Sequence, residues 1–407
     1  MPYKERLNAG IVASALGLQE HVRAADFTGG LKAGTTALLA ALEGVAANGA
    51  NRLLVCGSEC RLGKPASQQE MIFGDAAAAL MVGNQDVIAE FKGAYSTTYD
   101  FVDHYRGERA QFDRQWEDRW IRDLGYDHLV PETVGGLLNK YRLKITDFAK
   151  MIYPCHYPAA REKLNRVMGI PAQGEQGNLQ AEIGESGAAQ SLVMLVKALE
   201  DARPGDKILV VSFGSGCDAL YFEATDQIEQ RRPSSGISGS LAHKAALDNY
   251  TKYLVWRDIL PAEAGARAEE DLWTRWSLLW RKRKAVLGLI GGKCRRCHTP
   301  QFPAQRVCVN PECGAIDEME DYPFSHRRGR IASYTGDMLA ASFNPPEMYG
   351  QIEFEEGGKY QFHFTDCDLG DLAVGLPVRM SFRKKYSDSK RGITGYFWKA
   401  VPEREVK

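Results

Sequence analysis

The sequence predicts a multidomain α/β protein in which a duplicated, layered α/β domain precedes a small cysteine-bearing module and a five-stranded all-β module. Three observations predict this order. A helix-strand unit occurs twice in the first 226 residues, four cysteines cluster between residues 294 and 313, and short alternating segments follow Gly329. The length of 407 residues also favours two or three domains, because a single hydrophobic core seldom grows beyond about 250–300 residues.

The duplicated unit is seen when residues 33–59 are laid beside residues 186–215. Each segment reads as a Gly-containing elbow, a helix with an apolar stripe, a Gly-bearing turn and an apolar strand that ends in Gly and Ser. The strands Leu53–Cys56 and Ile208–Val211 contain no polar residue, which is typical of strands buried on both faces. The first copy is short by about one helix and one strand. We therefore expect a fragment, a misassigned start or another chain that completes the sheet.

The composition is that of a globular protein, with 44% hydrophobic residues, 25% charged residues and a formal net charge of −1. Such a balance predicts no global field that would recruit nucleic acid or an acidic membrane. The N-terminus lacks the layout of a secretory signal, and no apolar run approaches the roughly 20 residues of a membrane span. We expect a cytoplasmic protein that does not associate with membranes.

Changes in sequence character give the expected domain boundaries. The stretch from Pro233 to Ser240 is rich in Ser and Gly, which is typical of a linker, and Trp-rich helical sequence follows to about Ile290. The predicted division is a first α/β half at 1–90, a second half at 91–226, a linker and helical segment at 227–290, a cysteine module at 291–326 and an all-β module at 327–407.

The cysteine cluster has the pattern Cys-x2-Cys, ten residues, then Cys-x4-Cys. Two short knuckles with four thiolates suit tetrahedral zinc, which is structural when all four ligands are protein sulfur. Two disulfides in a secreted module are the alternative, and the absence of a secretory signal argues against them. His298 is interpreted as an exposed residue rather than a ligand. The predicted zinc ligands are Cys294, Cys297, Cys308 and Cys313.

Three segments of the first 226 residues carry a family resemblance. The elbow Ala25–Thr36 reads as a strand that runs into a helix start, residues 74–83 read GDAAAALMVG, and the loop Ser212–Gly216 ends the second repeated strand. These segments resemble the thiolase superfamily, and within it 3-hydroxy-3-methylglutaryl-CoA synthases and 3-oxoacyl-acyl-carrier-protein synthases. The resemblance implies a duplicated thiolase-like fold, a CoA thioester as substrate and subunits that pair across a strand near Asp26.

The resemblance also places candidate catalytic residues. Leu31 stands where the family has its nucleophilic cysteine, so no acyl-cysteine intermediate is expected there. Pro154 takes the position of the family's histidine, His156 follows two residues later, and Glu185 replaces an asparagine. Two interpretations stay open. Either Glu185 and His156 are an acid-base pair that acts on a CoA thioester, or the site has lost its activity and Glu185 only caps the next helix.

Substrate-binding residues are expected beside the same elbow. By resemblance, backbone N–H groups of a glycine-rich loop would form an oxyanion site for the thioester carbonyl. That loop consists of Gly214, Ser215 and Gly216. Lys32, at the elbow, is taken as a substrate-binding cation. Cys155 and Cys217 are interpreted as buried apolar residues rather than spare nucleophiles.

The C-terminal part carries a second resemblance. Five short alternating segments separated by Gly, Asp and Pro follow Gly329, as in an all-β module. With the cysteine cluster and the Trp-rich helix before it, residues 241–404 resemble zinc-ribbon and OB-fold proteins that accompany thiolases. The resemblance implies a five-stranded OB-fold β-barrel that holds CoA. Such modules also bind single-stranded nucleic acid, but linkage to a thiolase-like domain favours CoA.

The leading hypothesis is an enzyme that makes or cleaves a carbon-carbon bond on a CoA thioester without a cysteine nucleophile. The alternative is a non-catalytic scaffold or subunit that binds acyl-CoA and completes a partner enzyme. For assembly we expect a homodimer, or a hetero-oligomer with a chain that supplies the missing N-terminal segment. Nucleic acid is the least favoured ligand.

Overall fold

The computed structural model describes residues 3–232, 235–263, 265 and 273–403. The described residues form two compact units. One comprises Phe27–Ala245, and the other comprises the described residues of Pro2–Asp26 and Ala246–Lys407. The five-part division drawn from the sequence stays a prediction.

The helices and strands have the following bounds. In chain order the α-helices are α1 (Asn8–Ala15), α2 (Ala33–Ala46), α3 (Gln68–Ile72), α4 (Asp118–Trp120), α5 (Val130–Tyr141), α6 (Pro158–Met168), α7 (Gln180–Ile183), α8 (Gln190–Asp201), α9 (Gln227–Arg231), α10 (Gly236–Ala242), α11 (Tyr250–Trp256), α12 (Trp276–Arg281) and α13 (Arg283–Gly288). The strands are β1 (Arg52–Cys60), β2 (Asp75–Gly83), β3 (Ala89–Thr98), β4 (His104–Tyr105), β5 (Arg114–Gln115), β6 (Lys150–Ile152), β7 (Lys207–Phe213), β8 (Gly216–Ala224), β9 (Ile290–Cys294), β10 (Pro300–Gln301), β11 (Met319–Pro323), β12 (Gly329–Asp337), β13 (Glu347–Phe354), β14 (Lys359–His363), β15 (Pro377–Asp388) and β16 (Ile393–Pro402). A π-helix, Ile121–Leu129, joins α4 to α5.

The centre of the first unit is a four-stranded sheet with the order β3-β8-β7-β6. β6 and β7 run parallel, while β3, β8 and β7 are antiparallel neighbours. The apolar side chains of β7 are fully buried, and they divide between two clusters. Ile208 and Val210 pack with α2 and α8, while Leu209 and Val211 pack with α5, α6 and the π-helix. The predicted burial of Ile208–Val211 on both faces is therefore confirmed.

The strand of the first repeat differs from its prediction. β1 pairs with β2 in a two-stranded antiparallel sheet. Val55 is buried in the cluster of α2 and α8, but Leu54 and Cys56 are exposed. The prediction that Leu53–Cys56 is buried on both faces is wrong, because within the described residues helices cover only one face of this sheet and alternate side chains of a strand face opposite ways.

The predicted linker also differs. Residues 236–242 of that Ser/Gly-rich stretch form α10, while positions 233 and 234 lie outside the described residues. The carboxylate of Glu200 binds this N-terminus, since it accepts hydrogen bonds from the backbone N–H of Ser238 at 3.2 Å and of Ile237. A carboxylate at a helix N-terminus satisfies unpaired N–H groups and is favoured by the helix dipole.

The second unit contains a three-stranded sheet, β10-β9-β11, and a five-stranded antiparallel sheet, β14-β13-β12-β15-β16. The number of strands in the larger sheet agrees with the prediction, but the predicted closed barrel is not formed by the described strands. Its edge strands β14 and β16 share no ladder. They are connected by one bridge between Phe364 and Ala400, where the N–H of Thr365 donates to the carbonyl of Ala400 at 3.0 Å.

None of the described helices is long and apolar enough to span a membrane.

Candidate functional site

A pocket in the first unit brings together five of the positions that the sequence analysis names individually, namely Leu31, Pro154, Cys155, His156 and Glu185. Leu31 lies just before α2, His156 follows β6, and Glu185 lies between α7 and α8. The full lining consists of Leu31, Tyr126, Pro154, Cys155, His156, Asn178, Gln180, Glu185, Gly187, Gln190, Ser212 and Phe213. The duplicated fold thus places the elbow before α2 next to the loops that follow β6 and precede α8.

Glu185 is a buried carboxylate whose two oxygens are both engaged. One oxygen is paired with the guanidinium of Arg61, and the other accepts the backbone N–H of Gly187 at 3.0 Å. The backbone of Glu185 is also held, because its N–H donates to Ile72 and its carbonyl accepts from Gly74. This residue therefore presents a fixed negative charge to the pocket. Neither carboxylate oxygen is without a partner, because Arg61 pairs with one and Gly187 donates to the other.

Arg61 is the partner that the sequence analysis missed. It lies directly after β1, its side chain is 6% exposed, and its Nε donates to Asp113 at 2.8 Å. Its guanidinium also lies over the ring of Phe73 at 3.8 Å. Burial alone would lower the pKa of Arg61, but the charges of Glu185 and Asp113 outweigh burial and raise it. The guanidinium is therefore a permanent cation that is paired with two carboxylates.

His156 is the titratable group that remains available. Among the described residues neither ring nitrogen has a hydrogen-bond partner. The ring lies 4.0 Å from that of Tyr157, whose hydroxyl donates to Asp118 at 2.9 Å. Burial lowers the pKa of His156 below its usual 6.5, and the charge of Glu185 opposes that shift. A neutral imidazole with a free nitrogen can accept a proton at neutral pH.

The two cysteines near this pocket are poor nucleophiles. Burial raises the pKa of Cys155, which lines the pocket, to about 12. The same cause raises the pKa of Cys217, in β8, to about 12. Because the thiolate is the reactive form, both residues stay protonated thiols near neutral pH. This agrees with their interpretation as buried apolar residues.

Lys32 lies at the start of α2 but is not part of the lining. Its ammonium is 3.2 Å from the buried carboxylate of Asp218 and donates to the carbonyl of Thr97 at 3.1 Å. Thr35 and Thr36 donate to the second oxygen of Asp218. The predicted substrate-binding cation is therefore tied to β8 and helps to anchor the start of α2.

The glycine-rich loop is the tight turn between β7 and β8. The N–H of Gly214 donates to the carbonyl of Gly216 at 2.9 Å, and the hydroxyl of Ser215 donates to Phe101 at 3.2 Å. A side chain at Gly214 would approach the backbone nitrogen of Leu31 to 2.8 Å, so a glycine is required for this close approach. The loop packs on the elbow, but none of Gly214, Ser215 and Gly216 belongs to the pocket lining, and the N–H of Gly214 is used within the turn.

The four predicted metal ligands meet in the second unit. Their sulfur atoms all lie within 4.8 Å of one another. The sulfurs of Cys294 and Cys313 are 3.8 Å apart, and those of Cys297 and Cys308 are 3.4 Å apart. Tetrahedral zinc with Zn–S bonds of about 2.3 Å requires sulfur separations of roughly 3.8 Å. The donor set and its geometry suit one such ion, and His298 is not part of the group.

Comparisons with known proteins agree with this architecture. The hydroxymethylglutaryl-CoA synthase of Pyrobaculum neutrophilum is 31% identical over 266 residues, which cover 64% of this chain and 75% of that protein. The chain belongs to the hydroxymethylglutaryl-CoA synthase family. The synthase of Pyrococcus horikoshii is 32% identical over 238 residues, 57% of this chain and 67% of that protein. No family model matches the chain.

Comparison with solved structures shows that the similarity includes the fold. A crystal structure of HMG-CoA synthase complexed with CoA has a TM-score of 0.55 at 19% identity, covering 65% of this chain and 72% of that chain. MvaS in complex with 3-hydroxy-3-methylglutaryl coenzyme A has a TM-score of 0.52 at 17% identity, covering 64% and 72%. The thiolase-like α/β fold expected from the sequence is therefore confirmed.

Proposed function

We propose that this protein binds a CoA thioester in the pocket and makes or cleaves a carbon-carbon bond without a cysteine nucleophile. One observation carries the proposal: His156, neutral and with both ring nitrogens unpartnered among the described residues, shares the pocket with the fixed charge of Glu185. By the family resemblance Leu31 stands at the position of the cysteine nucleophile, so in this proposal proton transfer replaces acyl transfer.

The step that fits these groups is an aldol-type addition. A ring nitrogen of His156 removes a proton from the carbon next to the thioester carbonyl, and the resulting enolate carbon forms a bond to the carbonyl carbon of a second substrate. The alkoxide that forms takes the proton back from the imidazolium. Cleavage is the same sequence in reverse. Glu185 stabilises the imidazolium by its charge and keeps its own ion pair throughout.

A non-catalytic scaffold that binds acyl-CoA, or a subunit that completes a partner enzyme, is the second candidate. It is favoured by the same two features that limit catalysis, namely Leu31 at the elbow and a carboxylate held by Arg61. The two candidates make opposite predictions for turnover by the purified chain. In either case the ligand is an acyl-CoA, and we propose a homodimer or hetero-oligomer as the assembly.

For the second unit we propose a structural zinc ion and an OB-fold role. Four thiolates would hold the ion and stabilise the turns around β9 and β10, with no open position for catalysis. The five-stranded sheet would itself bind CoA, with nucleic acid as the less favoured ligand. The near approach of β14 and β16 at Phe364 and Ala400 supports the OB-fold assignment.

The proposed reaction is tested with His156→Gln, which removes the proton-accepting nitrogen while keeping a polar side chain of similar length. We expect cleavage of 3-hydroxy-3-methylglutaryl-CoA to acetyl-CoA and acetoacetate, or the reverse addition, to fall at least 100-fold. Because the pKa of His156 is lowered, kcat/KM of the unaltered protein should stay flat from about pH 8 to pH 7 and decline only below about pH 6.5.

The matched control is His128→Gln, since His128 is exposed on the π-helix. Its turnover should equal that of the unaltered protein. If the unaltered protein binds acetyl-CoA but converts none of these thioesters, the scaffold is correct and the enzyme proposal is wrong.

A further inference from the structure

Tyr126 is a buried residue of the pocket that has no part in the reaction proposed above. It lies on the π-helix Ile121–Leu129 and is 6% exposed. Short π-helical insertions occur often at functional sites, because the extra residue in the turn changes the direction of a side chain. Here the insertion places Tyr126 in the lining together with His156 and Glu185.

The hydroxyl of Tyr126 has no hydrogen-bond partner among the described residues. The other polar side chains of the lining, apart from His156, are bonded within the protein; they are Asn178, Gln180, Glu185, Gln190 and Ser212. Tyr126 and His156 are thus the polar side chains of the lining that have no hydrogen-bond partner among the described residues and can bond to a ligand.

The ring of Tyr126 is held in place by its neighbours. Its centroid lies 5.1 Å from that of Phe213 and 6.0 Å from that of Tyr157. Gly125 permits this packing, because a side chain there would meet the Phe213 ring at 2.5 Å. The hydroxyl therefore has a fixed position, as a preorganised donor requires.

The charge state of Tyr126 suits a donor and excludes a base. Burial is the main cause that raises the pKa of Tyr126 well above its ordinary 10, and the charge of Glu185 acts in the same direction. Tyr126 and Glu185 both line the pocket. At neutral pH this group is a hydroxyl that donates a hydrogen bond and keeps its proton.

A thioester enolate needs such a donor at its oxygen, and the glycine-rich turn offers less than the sequence suggested because the N–H of Gly214 is bonded to Gly216. We infer that the Tyr126 hydroxyl binds the carbonyl oxygen of the CoA thioester and stabilises the negative charge that develops there when His156 removes the α-proton. This inference rests on the proposed function, since it names the oxyanion donor of the same site.

The test is Tyr126→Phe, which deletes the hydroxyl and keeps the ring contacts. We expect kcat to fall about 100-fold, within the range measured when one oxyanion donor is removed, with KM changed less than threefold. The melting temperature should not fall, because no bond within the protein is lost. The control is Tyr221→Phe, whose hydroxyl donates to Glu223 at 3.1 Å outside the pocket, and its kcat should be unchanged.

A second readout does not need turnover. The infrared carbonyl band of acetyl-CoA labelled with ¹³C at the thioester carbon should shift to lower wavenumber on binding, and Tyr126→Phe should return it towards the free value. If the protein binds acetyl-CoA without converting any thioester, the proposed reaction fails while the band shift still decides the role of Tyr126. An unshifted band in the unaltered protein, unchanged kcat in Tyr126→Phe, or a lower melting temperature in that variant would each overturn the inference.

Discussion

Arg61 and Glu185 decide what the candidate site can do at the scale of single residues. The sequence suggested a carboxylate-imidazole pair, but the carboxylate is bound to a buried guanidinium that also binds Asp113. A buried ion pair is seldom a source of net stability, yet removing one partner leaves an uncompensated charge. The pair therefore places a charged group of fixed position near His156, and in the reaction that we propose the imidazole is the proton carrier.

We predict that Arg61→Gln lowers the free energy of unfolding by about 3 kcal/mol, because Glu185 and Asp113 would lose their common cation in a buried site. The measurement is urea denaturation at pH 7.5 followed by circular dichroism. The control is Arg106→Gln. Arg106 also contacts Asp113, at 3.3 Å, but its side chain is 40% exposed, so we expect a loss below about 1 kcal/mol. Equal losses for the two variants would contradict this account of the site.

The sequence predicted part of this site and missed part of it for a physical reason. His156, Glu185 and Leu31 were found because each lies at a recognisable junction between a strand and a helix. Arg61 is 124 residues from Glu185 in the chain, and nothing in its local sequence indicates that partner. Tyr126 was missed because a π-helix has no clear pattern, so its direction could not be derived from helical periodicity.

Whole helices and strands were likewise predicted in part and missed in part. The repeated units were predicted because α2 with β1 and α8 with β7 show clear apolar periodicity. The exposed face of β1 was not predicted, since an apolar strand has the same sequence pattern whether one or both of its faces are covered by other elements. Helix α10 was read as a linker because Glu200, the carboxylate at its N-terminus, belongs to α8 and lies more than 30 residues away in the chain.

The cysteine module, residues 291–326, is expected to bind zinc. We expect the full chain to contain one zinc ion, measured by inductively coupled plasma mass spectrometry. In Cys308→Ser the zinc content should fall by more than half, and the melting temperature should fall as well, because the metal holds the turns around β9 and β10. Cys56→Ser is the control, since Cys56 is exposed on β1. Full zinc content in Cys308→Ser would mean that these sulfurs do not bind the ion together.

For the whole molecule, membership of the hydroxymethylglutaryl-CoA synthase family and a thiolase-like fold leave the chemistry to the pocket residues. Leu31 at the elbow, protonated Cys155 and Cys217, and neutral His156 support our proposal that a thioester reacts here without being transferred to the protein. The central claim is therefore that carbon-carbon bond chemistry proceeds with no acyl-enzyme intermediate.

The most direct test is intact-protein mass spectrometry during turnover. The protein is mixed with acetyl-CoA and acetoacetate, or with 3-hydroxy-3-methylglutaryl-CoA, and samples are quenched in acid while the thioesters are quantified. We predict that thioesters are converted while the mass of the chain stays unchanged at every time point. A mass increase of one acyl group that appears and decays with turnover would contradict the claim.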